Sequence, residues 1–150
     1  MTSPNLSGLN MGNARTPEQV ALMQKIIDDG VCPFCAEHFR KYHPKPVIKE
    51  TEHWFLTENM SPYKGTKHHF IFVYKPAHIT KPDELLPEAL ADLFSLVQWA
   101  TTEYAITGGS FFMRFGDTHY TGSSVEHLHA HLLMGDADAP NHEPVRVKLG

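Results

Sequence analysis

Ser123-Ser124-Val125-Glu126-His127-Leu128-His129-Ala130-His131-Leu132-Leu133 is the stretch from which the fold is read. Histidines occupy every second position, and Leu128, Ala130 and Leu132 alternate with them. Side chains on a β-strand point alternately to its two faces. As a strand, the segment lays His127, His129 and His131 in one row and its apolar residues in the other. A helix would scatter both sets around its circumference. The strand reading therefore puts an imidazole row on one face of a sheet and a core on the other. Imidazole serves as nucleophile, general acid–base or metal ligand near neutral pH. Each ring also carries two polar nitrogens that need partners, so packing alone does not account for the row. An affinity tag would sit at a terminus without alternating leucines.

Outward from this strand, the chain of 150 residues suits one domain with a substantial core. Its apolar fraction of 41% and charged fraction of 20% are ordinary for a globular protein. A formal net charge of −4 argues against general capture of nucleic acid. No apolar run reaches the ~20 residues of a membrane span, and no secretory h-region opens the chain, so a cytoplasmic location is expected. Cys32 and Cys35 are the only cysteines and make no disulfide framework. Their spacing suits half of a tetrahedral metal site or a thiol redox pair, and unconnected buried cysteines are the plain alternative.

Residues 1–15 are rich in Ser, Asn, Gly and Thr and read as a flexible N-terminal arm, ordered only where something holds it. Residues 16–150 form the single domain. Thr16-Pro17-Glu18-Gln19 is a helix start, with a Thr cap and Pro at the first helical position. Val20, Leu22, Met23, Ile26 and Ile27 make its stripe, Gly30 stops it, and the helix is expected to pack across the sheet. Ala36 to His43 predicts a short helix ended by Pro44. Val47–Thr51 and Trp54–Thr57 predict paired strands, and His69–Tyr74 a buried central strand leaving through His78. Pro87 to Thr107 predicts a long helix with the stripe Leu90, Leu93, Phe94, Val97, Trp99, Ala100 and Tyr104, stopped by Gly108-Gly109. Ser110–Phe115 predicts a strand, Gly116–Gly122 a loop, and Pro144–Leu149 a last short strand. The order is α+β: an antiparallel sheet of about five strands backed by one long helix, with an N-terminal helix in front.

The block from Gly122 to Leu133 resembles the histidine-triad (HIT) signature, His-φ-His-φ-His-φ-φ with φ apolar, and meets every position of it. The resemblance extends over roughly Cys32 to Gly135, and the cysteine pair and His78 point to the zinc-containing branch. It implies a HIT-like fold and a structural Zn2+ held by Cys32, Cys35, His78 and His127. A catalytic metal on His127, His129 and His131 is the weaker alternative, because ligands two apart along a strand spread over roughly 13 Å. The resemblance further implies His129 as a nucleophile attacking the α-phosphate of a purine nucleotide conjugate to form a covalent nucleotidyl-histidine. His131 would stabilise the phosphoryl oxygens and His69 would support the nucleophile, with His68 pointing away. Ser124 and Gly122 match phosphate-contacting positions and Asn59 a ribose-binding one; turn chemistry is the ordinary alternative for Asn59 and Ser124. Ser123 stands where many relatives have glutamine. Arg114 faces either the phosphate side of the sheet or solvent.

The implied activity is a nucleotide hydrolase or transferase acting on phosphoramidates or dinucleoside polyphosphates. A diadenosine polyphosphate phosphorylase is the nearest enzyme alternative, and a non-catalytic zinc-stabilised nucleotide-binding module is the rival from another class. Relatives pair as homodimers through the long helix and an edge strand. The expected partner is thus a small nucleotide, with no nucleic acid and no membrane.

Overall fold

The computed structural model describes residues 7–150. Helix α1 (Pro17–Asp29) and helix α2 (Ala36–Tyr42) precede strands β1 (Val47–Glu50), β2 (Trp54–Glu58) and β3 (Thr66–Tyr74). Helix α3 (Pro87–Glu103), strand β4 (Ser110–Arg114), the one-turn helix α4 (Thr118–Thr121) and strand β5 (His129–Gly135) complete the order. All five strands form one antiparallel sheet in the order β1-β2-β3-β5-β4. Among the described residues, no helix is long and apolar enough to cross a membrane.

The histidine strand falls beside the central strand: Ile71 pairs with His131, Phe72 with Ala130 and Val73 with His129. Opposed residues share a face, so the alternation read from the sequence divides the sheet as expected. Phe70, Phe72, Leu128, Ala130 and Leu132 enter the main core with Leu93, Leu96 and Ala100 of α3. His68 lies on that side, stacked on Phe70 at 5.5 Å. The opposite face carries His69, His129 and His131, all buried, beside Ile71 and Val73. Phe39 of α2 stacks on Phe55 there at 4.8 Å. His127 lies just ahead of β5 rather than within it.

Thr16 caps α1 by accepting from Gln19 N–H at 3.0 Å, and Gly30 ends it at φ +70°. The expected stripe is displaced, because Gln19 is buried while Val20 faces solvent. The reason is what α1 covers. Met23 and Ile26 pack on Leu9, Tyr42 and Val125, beside the loop entering the histidine strand, rather than across the sheet. Of the arm, residues 1–6 lie outside the described residues. Leu9 is buried, bridges Val125, and brings Gly8 and Asn10 into backbone hydrogen bonds with Glu126 and Ser124. The surface that holds residues 8–14 is the chain's own.

Three features differ from expectation. Helix α3 ends at Glu103, before the Gly108-Gly109 stop; Ala105 takes φ +49° and Ile106 N–H closes on the Thr101 carbonyl at 2.9 Å. That closure draws Ile106 into the core, the apolar contact that accompanies such helix ends. On the same helix Leu90 and Phe94 are exposed, because Ala89 and Leu96 take the sheet-facing positions. Residues 144–149 form no strand. The Lys148 carbonyl instead accepts from Arg114 Nη2 at 2.9 Å, so the segment crosses the histidine face rather than joining the edge.

Candidate active site and metal cluster

The carbonyls and amides around the histidines assign their protons. His129 Nδ1 lies 2.8 Å from the His127 carbonyl, so it donates there and leaves Nε2 with a lone pair. Burial lowers the His129 pKa to about 4, so the ring is neutral at pH 7. Phe34 meets it edge-on at 5.0 Å, fixing its plane. His69 Nδ1 accepts from Tyr63 N–H at 3.1 Å, which puts the neutral ring's proton on Nε2. That Nε2 lies 2.9 Å from His131 Nδ1 and donates to it. His131 therefore carries its proton on Nε2, a buried atom with no partner among the described residues. Burial lowers the pKa of His69 to about 3 and that of His131 well below its ordinary value. The result is a buried neutral lone pair on His129 beside an unengaged N–H on His131.

Both rings line a cleft of about 450 Å³. Asn59, Gly122 and Ser124 line it too. Asn59 Oδ1 accepts from Ser61 N–H at 2.8 Å; its amide nitrogen lies 3.1 Å from His69 Nε2, a contact of two donors and not a hydrogen bond in the tautomer that Tyr63 N–H sets. Ser124 Oγ accepts from Gln19 Nε2 at 3.4 Å. Gly122, at φ +73°, admits the chain's own C-terminal segment, since a Cβ there would stand 3.0 Å from the Lys148 carbonyl oxygen. Ser123 is buried and turned onto the Val125 carbonyl at 2.7 Å. Asp117 caps α4 through His119 N–H at 2.9 Å.

The residues least visible in the sequence are Arg15, Tyr63 and Arg114. Register places Arg114 opposite His129 and Phe112 opposite His131, so both lie on the histidine face. Phe112 stacks on His131 at 4.7 Å. Arg114 Nη1 donates to Tyr63 Oη at 2.7 Å, and the Arg15 guanidinium lies 4.5 Å from the same ring's centre. The period-2 alternation of Met113, Arg114 and Phe115 held the signal for Arg114; nothing local held one for Arg15.

Next to the histidine row, Cys32, Cys35, His78 and His127 bring one ligand atom each within 4.8 Å of one another. His127 Nδ1 lies 3.5 Å from Cys32 Sγ, 3.7 Å from Cys35 Sγ and 3.3 Å from His78 Nδ1; Cys35 Sγ lies 3.7 Å from His78 Nδ1. A tetrahedral site with metal–S near ~2.3 Å and metal–N near ~2.05 Å has S···N edges of about 3.5 Å and N···N edges of about 3.3 Å. The four residues fit such a site. His127 Nε2 donates to the Tyr74 carbonyl at 2.7 Å, turning its Nδ1 lone pair toward the cluster. Burial raises the Cys32 thiol and pushes Cys35 up to about 12, opposite to the lowered thiol of a redox pair.

Sheet order, a triad of buried imidazoles and an adjoining cysteine–histidine cluster define a histidine-triad protein. The HIT domain profile matches residues 40–138, and the chain belongs to that family. Its fold is shared with a HIT family hydrolase from Clostridium thermocellum, at 20% identity and TM-score 0.55, covering 71% of this chain and 92% of the other. A histidine triad nucleotide-binding protein from Candida albicans superposes at 16% identity and TM-score 0.55, covering 75% and 83%. A zinc-bound histidine triad family protein from Mycobacterium smegmatis does so at 17% identity and TM-score 0.52, covering 74% and 79%. Comparison with curated proteins gives no match.

Proposed function

We propose that the protein is a nucleotide hydrolase or transferase acting at the α-phosphate of purine nucleotide conjugates through a nucleotidyl-histidine on His129. The observation that carries this reading is the His127 carbonyl on His129 Nδ1, which leaves a neutral Nε2 lone pair beside the cleft. In the first step Nε2 attacks phosphorus, the N–P bond forms, and the leaving group departs with the electron pair of its own bond. The His131 Nε2–H donates to the phosphoryl oxygens as charge builds, and His69 holds His131 in the tautomer that allows it. Water or another acceptor then attacks phosphorus, releasing the nucleotide and restoring neutral His129. Inorganic phosphate as acceptor would make the enzyme a phosphorylase.

Cys32, Cys35, His78 and His127 would hold Zn2+, supported by their tetrahedral spacing and by the zinc-bound neighbour. With all four positions filled by protein, the ion would supply structure and not chemistry, tying the segment before α2 to the catalytic strand. Homodimerisation through exposed Leu90 and Phe94 belongs to the same reading and is checked by scattering mass in solution.

The test is AMP release from adenosine phosphoramidate and from diadenosine tetraphosphate, with and without phosphate, in wild type and His129→Ala. Release by wild type alone, with the variant down at least ~10³-fold, is the expected result. Equal release by both proteins refutes the nucleophile. No release by either leaves the non-catalytic nucleotide-binding module.

A further inference from the structure

The family profile begins at residue 40, yet Arg15, Gln19, Met23 and Ile26 from ahead of it wall the cleft. The charge of that cleft opposes the charge of the chain. Formal net charge is −4, but the lining includes Arg15, Lys64, Arg114, Arg146 and Lys148 and no Asp or Glu. Lys64 is neutralised at the rim by Glu143 at 3.1 Å. The other four make no ion pair among the described residues.

Arg15 and Arg114 are the inner pair. Their guanidinium carbons lie 4.5 Å and 5.8 Å from the centre of the Tyr63 ring, and that ring lies 6.0 Å from the His131 ring. Arg15 donates to the Ser61 carbonyl, and Arg114 to Tyr63 Oη and the Lys148 carbonyl. Arg114 Nε–H is buried without a partner among the described residues, as is the Nε2–H of His131. Two like charges held close together, that of Arg114 buried and neither matched by a carboxylate, repel each other. An anion with several oxygens would answer both the charge and the unpartnered donors, since guanidinium groups bind phosphate through paired, charge-assisted hydrogen bonds.

We propose that Arg15 and Arg114 form an anion subsite beside His129 and His131 that binds the phosphates of the leaving group. The favoured conjugate then carries further phosphates beyond the α-phosphate rather than a neutral amine. This rests on the activity proposed above for its catalytic meaning, but not for the binding it predicts. The arm, outside the family domain, supplies half of the subsite and so sets substrate choice.

The binding test uses the full chain and calorimetry with inorganic tripolyphosphate and with orthophosphate. Tripolyphosphate is expected to bind at least ~10-fold tighter than orthophosphate, and Arg15→Gln to weaken it about 10-fold. Arg15→Lys recovers part of the loss, and rising salt weakens all of it. Unfolding midpoints of both variants separate lost binding from lost fold. Tripolyphosphate that does not bind, or binds a folded Arg15→Gln variant as it binds wild type, overturns the subsite. The kinetic test is the ratio of kcat/KM for diadenosine tetraphosphate to that for adenosine phosphoramidate. Arg15→Gln is expected to lower this ratio about 10-fold, and an unchanged ratio overturns the specificity role. Should wild type turn over neither substrate while binding tripolyphosphate through Arg15, the catalytic reading fails and the subsite stands.

Discussion

A single carbonyl oxygen, that of His127, settles which nitrogen of His129 carries the proton. With Nδ1–H committed, Nε2 keeps its lone pair as long as the ring stays neutral, and its pKa is lowered to about 4 by burial. The rate of nucleotide release should therefore be flat from pH 7 down to about 5 and fall as pH drops through 4; a fall centred near the ordinary 6.5 would contradict it. The cysteines make a second residue-scale prediction. On the zinc site proposed above, Cys35→Ala removes one of four converging donor atoms, so metal content measured by atomic emission should drop and the melting midpoint should fall with it. An unchanged midpoint with full metal content would remove Cys35 from the ligand set. His129 and His131 were legible from spacing, because alternation on a strand is a local property. Which nitrogen of His131 is protonated was not, since Tyr63 and His69 decide it from distant parts of the chain.

At the scale of elements, β5 has two covered faces, α3 and the main core on one side and α2 with the cleft on the other. The short helix and the arm thus carry more of the site than their lengths suggest. Gly122 marks where the C-terminal segment meets α4. Gly122→Ala adds a Cβ 3.0 Å from the Lys148 carbonyl oxygen on a backbone at φ +73°, a strain of about 1–2 kcal/mol. The melting midpoint should fall by roughly 2–8 °C, whereas a midpoint equal to wild type would mean the segment relaxes away. The helix and strand order through β5 followed from periodicity, apart from the one-turn α4 inside the expected Gly116–Gly122 loop. The end of α3 did not, because the pull of Ile106 into the core outweighed the Gly108-Gly109 signal.

Across the whole molecule, histidines buried in neutral form couple stability to pH. His43 is lowered to about 4, His69 to about 3 and His131 well below its ordinary value, each chiefly by burial. An unfolded chain takes up these protons near pH 6.5, so between there and about 4 the unfolded state binds more protons than the native one. Stability is then fully present above pH 6.5 and is lost as pH falls toward 4. Denaturant midpoints at pH 7.5, 6 and 4.5 should decline in that order, and equal midpoints would mean these rings are accessible to protons in the native state. Removing residues 1–15 tests the arm at the same scale. Loss of the Leu9–Val125 bridge and of buried Leu9 should lower stability by about 2–4 kcal/mol, measured by urea unfolding.

The sequence by itself determined the α+β sheet, the division of β5 into an imidazole face and an apolar face, and the likeness to the histidine-triad family. These rest on period, caps and spacing, which act over a few residues. Tertiary structure alone decided that Arg15, Tyr63, Arg114 and the C-terminal segment close around the same cleft. Those groups come from separate parts of the chain, so no local rule of side-chain order brings them together. The cleft's positive charge arises the same way, from a selection of residues that only folding makes in a chain of net charge −4.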